Sequence, residues 1–368
     1  MKSFNRIEEI ENSVLSGLPV NKEDALFLYQ NAPLWQMMRL GHELRNQKTD
    51  ARYVGWIIDR NVNITNGCFS QCLFCNFCVT PGGNGEYITS MADYIPKIEE
   101  MFALGGNQLL LQGGMHPKLD LRFYVQLFSD LKKRFPLLKL HALGPAEVHF
   151  LASKAKKSYE QVLRELIDAG LDSLPGAGAE ILSDRVRQTI SPRKCSSAEW
   201  LDVMRAAHQL KLVTSATMMF GHVETIEERI DHLLKIRTVQ AEKPADAPGF
   251  VTFIPWPFMK YGTALYKKFP DIGNVFSREY LRMVALSRIV LCNVTNLQAS
   301  LLTVGADIAQ LCLYAGANDL GSVMIEENVV SSAGNDRVIE KNTITDAIKE
   351  VGFITRLRNQ AYEFVEKV

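Results

Sequence analysis

Residues 56–75 read WIIDRNVNITNGCFSQCLFC, a β-rich apolar run followed closely by cysteines at positions 68, 72 and 75. The run predicts a buried strand, and the cysteines crowd the loop that follows it. Thiolates are soft ligands that suit zinc or an iron–sulfur cluster. Three thiolates on one tight loop can bind three irons of a cubane, which leaves the fourth iron open to a chelating small molecule. The stretch therefore predicts a reactive metal centre at the carboxyl end of a strand.

Strand-like and helix-like segments alternate along the chain from Trp56 onward. Short apolar runs such as NQLLLQGG and VTSATMMFG alternate with amphipathic stretches, in about the eight βα units of a closed barrel. We therefore predict an α/β fold, a (β/α)8 TIM-type barrel over residues 51–334. An N-terminal helical segment (residues 1–50) and a C-terminal extension (residues 335–368) are expected to pack on it. An open, doubly wound parallel sheet is the alternative.

The composition favours a soluble protein that acts on small molecules. Lys plus Arg and Asp plus Glu both number 41, so no net charge attracts the chain to nucleic acid. No apolar run approaches the ~20 residues that span a bilayer, and the acidic N-terminus does not resemble a signal peptide. We expect a cytoplasmic location without membrane contact. Four of the seven cysteines lie between Cys68 and Cys78, and such crowding in a reducing compartment favours metal binding over disulfides.

Two other interpretations of the cysteine loop must be weighed. A structural zinc site needs four protein ligands, and Cys78 is a candidate for the fourth, but the cysteines are spaced too evenly for paired zinc knuckles. A ferredoxin-type run C-x2-C-x2-C also fits, but Gly82 stands where the next cysteine should be. Either site would suit an electron-transfer or scaffold module with no chemistry of its own. Such a module needs neither an open iron nor a substrate cavity.

The order Cys68-x3-Cys72-x-Phe74-Cys75 places an aromatic residue directly before the third cysteine. In this respect the chain resembles the radical S-adenosylmethionine (SAM) superfamily, whose members carry C-x3-C-x-aromatic-C. The resemblance implies that the three cysteines hold a [4Fe-4S] cluster, that SAM chelates its open iron, and that Phe74 contacts the cofactor. One electron, from a donor such as flavodoxin or ferredoxin, would then cleave SAM to a 5′-deoxyadenosyl radical. The cofactor performs this chemistry, and the protein positions and shields it.

Two further features acquire a role from this resemblance. Gly113 and Gly114 end the strand of LLLQGGMHP, and glycine lets a backbone approach a ligand closely. Alone they predict only a tight turn, but the superfamily uses a similar turn to bind the methionine part of SAM. Glu180 follows the strand of SLPGAGAEIL, where a carboxylate can accept hydrogen bonds from ribose hydroxyls or interact with a helix N-terminus. The resemblance favours SAM contact for all three residues.

Longer segments narrow the resemblance, which runs from about Tyr53 to Gly334. SLPGAGAEIL with DRVRQTISPRK, TMMFGHVET, FIPWPF and GANDLGSVMIEENVVSSAG are similar to a group that contains the menaquinone enzymes of the futalosine pathway and the deazaflavin-forming synthases. FIPWPF around Trp256 and LQASLLTVG around Gln298 most resemble the cyclic dehypoxanthine futalosine synthases. Aminofutalosine synthase and a synthase of the deazaflavin precursor of cofactor F420 are the alternatives. Cys78 departs from the group, where an aromatic residue is usual.

The resemblance implies a radical ring closure on a nucleoside-like substrate, dehypoxanthine futalosine. The deoxyadenosyl radical would remove the ribose 4′ hydrogen, and the sugar radical would add to the benzoate ring of the same molecule. Loss of one electron and one proton would restore the aromatic ring.

Side chains near the carboxyl ends of the later strands are candidates for contact with that substrate. His222 and Glu224 follow the strand of TMMFGHVET and are predicted to bind ribose hydroxyls or to accept a proton. The alternative is that Glu224 caps a helix and that His222 is a hydrogen-bonded structural residue. Trp256 is a candidate to stack on the benzoate ring, worth about 1 kcal/mol beyond its buried area, or to close the barrel mouth. The remaining candidates lie at the last two strands and are Gln298, Ser300, Asn318 and Asp319. For Asn318 and Asp319 the alternative is a role in forming a turn beside a short final strand.

Overall fold

Parallel strands form a barrel in the computed structural model, which describes residues 2–326, 332 and 339–365. The strands are β1 (Tyr53–Asn63), β2 (Gln108–Gln112), β3 (Lys139–Ala142), β4 (Leu171–Leu174), β5 (Val213–Phe220), β6 (Phe250–Pro257), β7 (Asn296–Leu297), β8 (Asp319–Met324) and β9 (Ile354–Leu357). They pair in the order β7-β6-β5-β4-β3-β2-β1-β8, with β9 beside β1. A parallel bridge between Gln298 and Asp319 joins the two ends of this order. The predicted TIM-type barrel is confirmed, and the open sheet is excluded.

Helices surround the barrel and connect its strands. Within the described residues they are α1 (Lys2–Leu15), α2 (Lys22–Asn31), α3 (Leu34–Lys48), α4 (Met91–Ala103), α5 (Leu121–Arg134), α6 (Pro145–Ala155), α7 (Tyr159–Asp168), α8 (Asp184–Ile190), α9 (Ser197–Gln209), α10 (Ile226–Glu242), α11 (Ala264–Lys268), α12 (Ser277–Val290), α13 (Leu301–Val304), α14 (Ala306–Leu313) and α15 (Lys341–Glu350). Several begin as their sequence predicts: Ser196 and Glu199 form a capping box at the start of α9. None of the described helices is both long and apolar enough to cross a membrane.

The N-terminal helices pack on the outer ring of the barrel. The Asn21 side chain caps α2 by accepting a hydrogen bond from the Asp24 N–H, and Pro33 separates α2 from α3. Helix α3 lies so close to the ring that a Cβ at Gly41 would stand 2.4 Å from the Ala315 carbonyl oxygen. These helices therefore contribute to stability and not to the interior of the barrel.

The C-terminal extension crosses the amino-terminal end of the barrel. Strand β9 pairs in parallel with the first four residues of β1, from Tyr53 beside Ile354 to Trp56 beside Leu357. The chain that follows carries Arg358, Gln360 and Tyr362 to the inner end of the barrel. The predicted boundary between barrel and extension, at residues 334 and 335, lies outside the described residues.

Candidate active site

The cysteine loop is held in place by backbone hydrogen bonds to three parts of the barrel mouth. The Cys68 N–H donates to the Val79 carbonyl at 2.9 Å, and the Leu73 N–H donates to the Ile190 carbonyl at 2.8 Å. The Leu73 carbonyl in turn accepts from the Leu265 N–H at 2.8 Å. Because the loop is tied on several sides, its thiols are positioned before any ligand binds. All four thiols, of residues 68, 72, 75 and 78, line one cavity.

The predicted glycine turn packs directly against this loop. The Gly114 N–H donates to the Thr65 carbonyl at 2.8 Å. A Cβ at Gly114 would stand 2.2 Å from the Gly67 oxygen and 2.8 Å from the Cys68 Cβ, so only glycine fits here. Gly113 and Gly114 both line the cavity, beside the cysteines, and their contact with SAM stays a prediction.

The cavity has a volume of about 480 Å³ and runs down the inside of the barrel. Barrels of this kind are usually filled by layers of branched apolar side chains. Here alternate residues of the strands point polar groups into the interior instead. The polar strand residues that line the cavity include Asp59, Asn61, His141, Ser215, Thr217 and Ser322. A hollow interior with these polar side chains on an otherwise largely apolar wall is suited to a ligand and not to a packed core.

Glu180 lies on the cavity wall and pairs with a residue that the sequence analysis missed. Lys194 Nζ donates to Glu180 Oε1 at 2.9 Å, and both side chains are largely buried. Lys194 Nζ also lies 5.2 Å from the ring centre of Phe74, which lines the same cavity. Burial raises the pKa of Glu180, but Lys194, together with Arg187 and His222, outweighs burial and holds the pKa below its usual value. The mouth of the cavity therefore carries a fixed pair of opposite charges beside the cysteines.

Glu147 is a second carboxyl on the wall that sequence analysis missed. It is the third residue of α6, which was not predicted and which begins at Pro145 directly after Gly144. Its Oε1 is buried and has no hydrogen-bond partner among the described residues. Burial raises the pKa of Glu147 to about 8, because Lys194 and the Gly113 N–H offset the desolvation only in part. The signal was present in the sequence: Pro at the first and Glu at the third helical position are typical of a helix start.

The inner end of the cavity is closed by the C-terminal extension. Arg358 Nη2 donates to Asp319 Oδ1 at 2.9 Å and approaches Gln298 Oε1 at 3.4 Å. Tyr362 also donates to Gln298, at 3.3 Å. Gln298 lines the cavity, and its contact with substrate stays a prediction, whereas Asp319 is fully buried behind it and holds Arg358. The sequence prediction placed the extension on the barrel but did not foresee that it forms the floor of the site.

The other predicted substrate residues fall into two sets. Trp256 and Ser300 line the cavity. Asn318 does not: its Oδ1 accepts hydrogen bonds from Arg288 Nη2 and from the Leu297 N–H, both at 2.9 Å. These bonds tie β7 to β8 and occupy the side chain. The placement supports a structural role for Asn318.

His222 and Glu224 come together, but they do not line the cavity. Their side chains are fully buried, with His222 Nδ1 3.0 Å from Glu224 Oε2. Glu224 also accepts a hydrogen bond of 2.8 Å from Arg229, which bridges to Glu279 at 2.6 Å. Burial raises the pKa of Glu224, but these neighbours outweigh it and bring the pKa to about 2. This placement supports the structural alternative, in which the pair fixes the turn after β5.

Comparison with known proteins places this geometry in a family. Residues 62–236 match the radical SAM superfamily, and residues 247–368 match the CofH/MqnC C-terminal region. The chain is 37% identical to a cyclic dehypoxanthine futalosine synthase of Halalkalibacterium halodurans, over 98% of this chain and 95% of that one. The chain belongs to the radical SAM superfamily.

Other relatives of this radical SAM enzyme carry two different names. A cyclic dehypoxanthine futalosine synthase of Streptomyces coelicolor is 39% identical over 97% of this chain and 88% of its own. A 5-amino-6-(D-ribitylamino)uracil–L-tyrosine 4-hydroxyphenyl transferase of Methanosarcina barkeri is 37% identical over 94% and 88%. Among solved structures, methylornithine synthase (PylB) superposes with a TM-score of 0.70 at 18% identity, over 96% of this chain and 98% of that one. That likeness concerns the fold alone.

The cofactors of this radical SAM enzyme are a [4Fe-4S] cluster and SAM. The residues at the cavity mouth fit these cofactors. Three soft thiolate donors lie beside a glycine turn, and a side chain at Gly114 would clash with the cysteine loop. Within the described residues, no three His, Cys, Asp or Glu side chains are gathered closely enough to hold a single metal ion. Membership of the radical SAM superfamily favours the [4Fe-4S] cluster over the structural zinc site. The scaffold interpretation is excluded by family membership and by the cavity.

Proposed function

We propose that this enzyme converts dehypoxanthine futalosine to cyclic dehypoxanthine futalosine, a step of menaquinone biosynthesis. Overall identity does not separate this reaction from the transferase reaction, because relatives of both names reach 37%. The observation that carries the proposal is local. FIPWPF and LQASLLTVG, the segments most similar to the cyclases, put Trp256, Gln298 and Ser300 on the wall of the cavity that the cluster cysteines line.

In the proposed reaction the substrate closes a ring within itself and loses two hydrogen atoms overall, which is an oxidation. SAM and the reduced cluster supply a 5′-deoxyadenosyl radical, with an electron from a low-potential donor such as flavodoxin or ferredoxin. The ribose C4′–H bond of the substrate breaks, and a bond forms between C4′ and the benzoate ring. The ring then releases one proton, and one electron goes to an acceptor of the iron–sulfur class.

The residues of the chain hold the substrate and exclude water. We place the methionine part of SAM against Gly113 and Gly114, and its ribose near Glu180. The nucleoside then extends inward, with sugar hydroxyls facing the polar side chains of the interior and the benzoate ring against Trp256. Arg358 and Tyr362 close the inner end. A closed, positioned interior suits the reaction because it keeps a reactive radical away from solvent and near a single partner.

The test compares substrates in parallel with the reconstituted enzyme, SAM and dithionite under anaerobic conditions. One sample contains dehypoxanthine futalosine, one contains tyrosine with 5-amino-6-(D-ribitylamino)uracil, and one contains the enolpyruvyl benzoate used by aminofutalosine synthases. We expect a product only in the first sample, two hydrogens lighter than its substrate, with 5′-deoxyadenosine. Cys68→Ala should form no product in any sample. A transferred hydroxyphenyl group, or an adenosyl adduct, would overturn the proposal.

A further inference from the structure

Cys78 is a thiol beside the cluster ligands for which the proposed reaction has no use. It stands three residues after Cys75, and the three-cysteine motif does not include it. Its side chain nevertheless lines the same cavity as Cys68, Cys72 and Cys75. Cys75 and Cys78 are both free thiols that are only partly buried, so small molecules can reach them. A fourth thiol in this place calls for a role other than catalysis.

The side chains of Cys75 and Cys78 contact each other. Residues 76 and 77 form a bend between them, and the two thiols are hydrogen-bonded. The Cys78 Sγ also lies 3.7 Å from the Cys75 carbonyl oxygen. Cys72, in contrast, is buried, and its Sγ lies 3.2 Å from the Ser70 hydroxyl. Cys75 is therefore the partner that Cys78 reaches with the least movement.

The bend between the two cysteines is anchored by hydrogen bonds that involve no cysteine side chain. The Asn76 Nδ2 donates to the Tyr261 carbonyl at 2.9 Å, and the Val79 N–H donates to the Asn66 carbonyl at 2.8 Å. The shape of the bend thus does not depend on the cluster. Because a disulfide needs two cysteines whose backbones are already close, this pair is arranged to form one whenever Cys75 binds no iron.

We infer that Cys75 and Cys78 form a reversible disulfide when the protein carries no cluster, with hydrogen peroxide as the oxidant. Peroxide converts one thiol to a sulfenic acid and releases water. The second thiol attacks that sulfur, so that the S–S bond forms and a second water leaves. Two thiols are oxidised by two electrons in total, and one peroxide is reduced to two waters. A dithiol reductant reopens the bond by exchange.

The consequence of this disulfide is protection of the cluster site. A sulfenic acid that meets no neighbouring thiol is oxidised further to a sulfinic acid, which thiols do not reduce. With Cys78 beside it, Cys75 stops at the disulfide and regains its thiol on reduction. The inference concerns the protein before the cluster is loaded or after it is lost, so it stands or falls separately from the proposed cyclisation.

The experiment treats protein stripped of its cluster by a chelator with a small excess of hydrogen peroxide, alkylates the remaining thiols and maps the cysteines by mass spectrometry. Chymotrypsin cleaves after Phe69, Phe74 and Phe77, which puts each cysteine of the loop on its own peptide. The peptides of Cys75 and Cys78 should be found linked, two hydrogens lighter than their sum. Dithiothreitol should separate them.

Two variants test the role of Cys78. Cys78→Ala should carry a sulfinic acid on Cys75 that dithiothreitol does not remove, and after peroxide and dithiothreitol it should not reload a full complement of iron and sulfide. The unmodified protein should reload to the level of the untreated sample. Untreated Cys78→Ala should also load fully, which separates protection from ligation. Cys292→Ala, which removes a partly buried cysteine outside the loop, is the matched control and should behave like the unmodified protein.

Two results would overturn the inference. One is a peptide map of the unmodified protein in which Cys78 stays unlinked or is joined to Cys68 or Cys72. The other is equal recovery of the cluster by Cys78→Ala and the unmodified protein after peroxide and dithiothreitol. The peptide map is made on the unmodified protein, so it decides even where the variant folds poorly.

Discussion

Arg358 Nη2 donates a hydrogen bond of 2.9 Å to Asp319 Oδ1, and both side chains are almost fully buried. The same Asp319 forms the bridge to Gln298 that closes the barrel. This single ion pair therefore fastens the C-terminal extension to the closing point of the barrel. The floor of the cavity and the closure of the barrel therefore depend on the same buried ion pair.

Replacing Arg358 by methionine should lower the free energy of unfolding by about 3–5 kcal/mol, because Asp319 would be left buried without its partner. Chemical denaturation measures this. Arg52→Met is the control: Arg52 pairs with Asp50 at the surface, where solvent screens the charges, and its loss should have little effect. Similar small effects of both substitutions would contradict the role of the buried pair.

Glu224→Gln should destabilise the protein without removing a cavity residue. The pKa of Glu224 is depressed from 4.5 to about 2, so its charge contributes stability above the unfolded pKa and loses that contribution as pH falls toward 2. The expected loss at pH 7 is roughly 3 kcal/mol. Urea denaturation of both proteins between pH 7 and pH 3 should show the difference shrinking with acid. Glu227→Gln, an exposed neighbour, is the control. A stable but inactive Glu224→Gln enzyme would restore the catalytic hypothesis.

Cys78→Ala should retain the cluster, because the three ligands implied by the motif are Cys68, Cys72 and Cys75. Cys78 also lines the cavity, so its thiol is close enough to make this a real test. Iron and sulfide analysis with electron paramagnetic resonance should give wild-type values for Cys78→Ala and strongly reduced values for Cys68→Ala. The reverse result would mean that the ligand set has been assigned incorrectly.

Trp256→Ala should weaken binding of dehypoxanthine futalosine by at least about fivefold, the equivalent of about 1 kcal/mol of stacking. SAM binding should not change, and Trp256→Phe should recover part of the loss since phenylalanine also stacks. Equilibrium binding to the cluster-loaded enzyme measures each affinity. Trp35→Ala, which removes an exposed tryptophan, controls for general effects. An unchanged substrate affinity in Trp256→Ala would show that this side chain only lines the barrel.

The sequence predicted the barrel and the cysteine centre because both depend on local pattern. Strand and helix periodicity is local, and so is the cysteine spacing of Cys68, Cys72 and Cys75. The glycine turn could be predicted for the same reason, although its contact with Cys68 is tertiary.

Other parts of the site depend on contacts between residues far apart in the chain. Lys194 meets Glu180 across helix α8, and Arg358 meets Asp319 from a separate extension, so neither pair has a local signature. His222 follows a barrel strand as a catalytic residue would, but only its burial with Glu224 and Arg229 distinguishes a structural network from an active-site one. The position of a residue at the end of a strand predicted that it lies near the barrel mouth. It did not predict whether its side chain points into the cavity.

Hydrogen abstraction from the ribose 4′ carbon is the central claim, and isotope transfer tests it most directly. Dehypoxanthine futalosine with deuterium at C4′ is incubated anaerobically with the enzyme, SAM and dithionite, and 5′-deoxyadenosine is analysed by mass spectrometry. The account predicts one deuterium in 5′-deoxyadenosine and a cyclic product without it. Unlabelled 5′-deoxyadenosine formed alongside a product that retains the deuterium would contradict it.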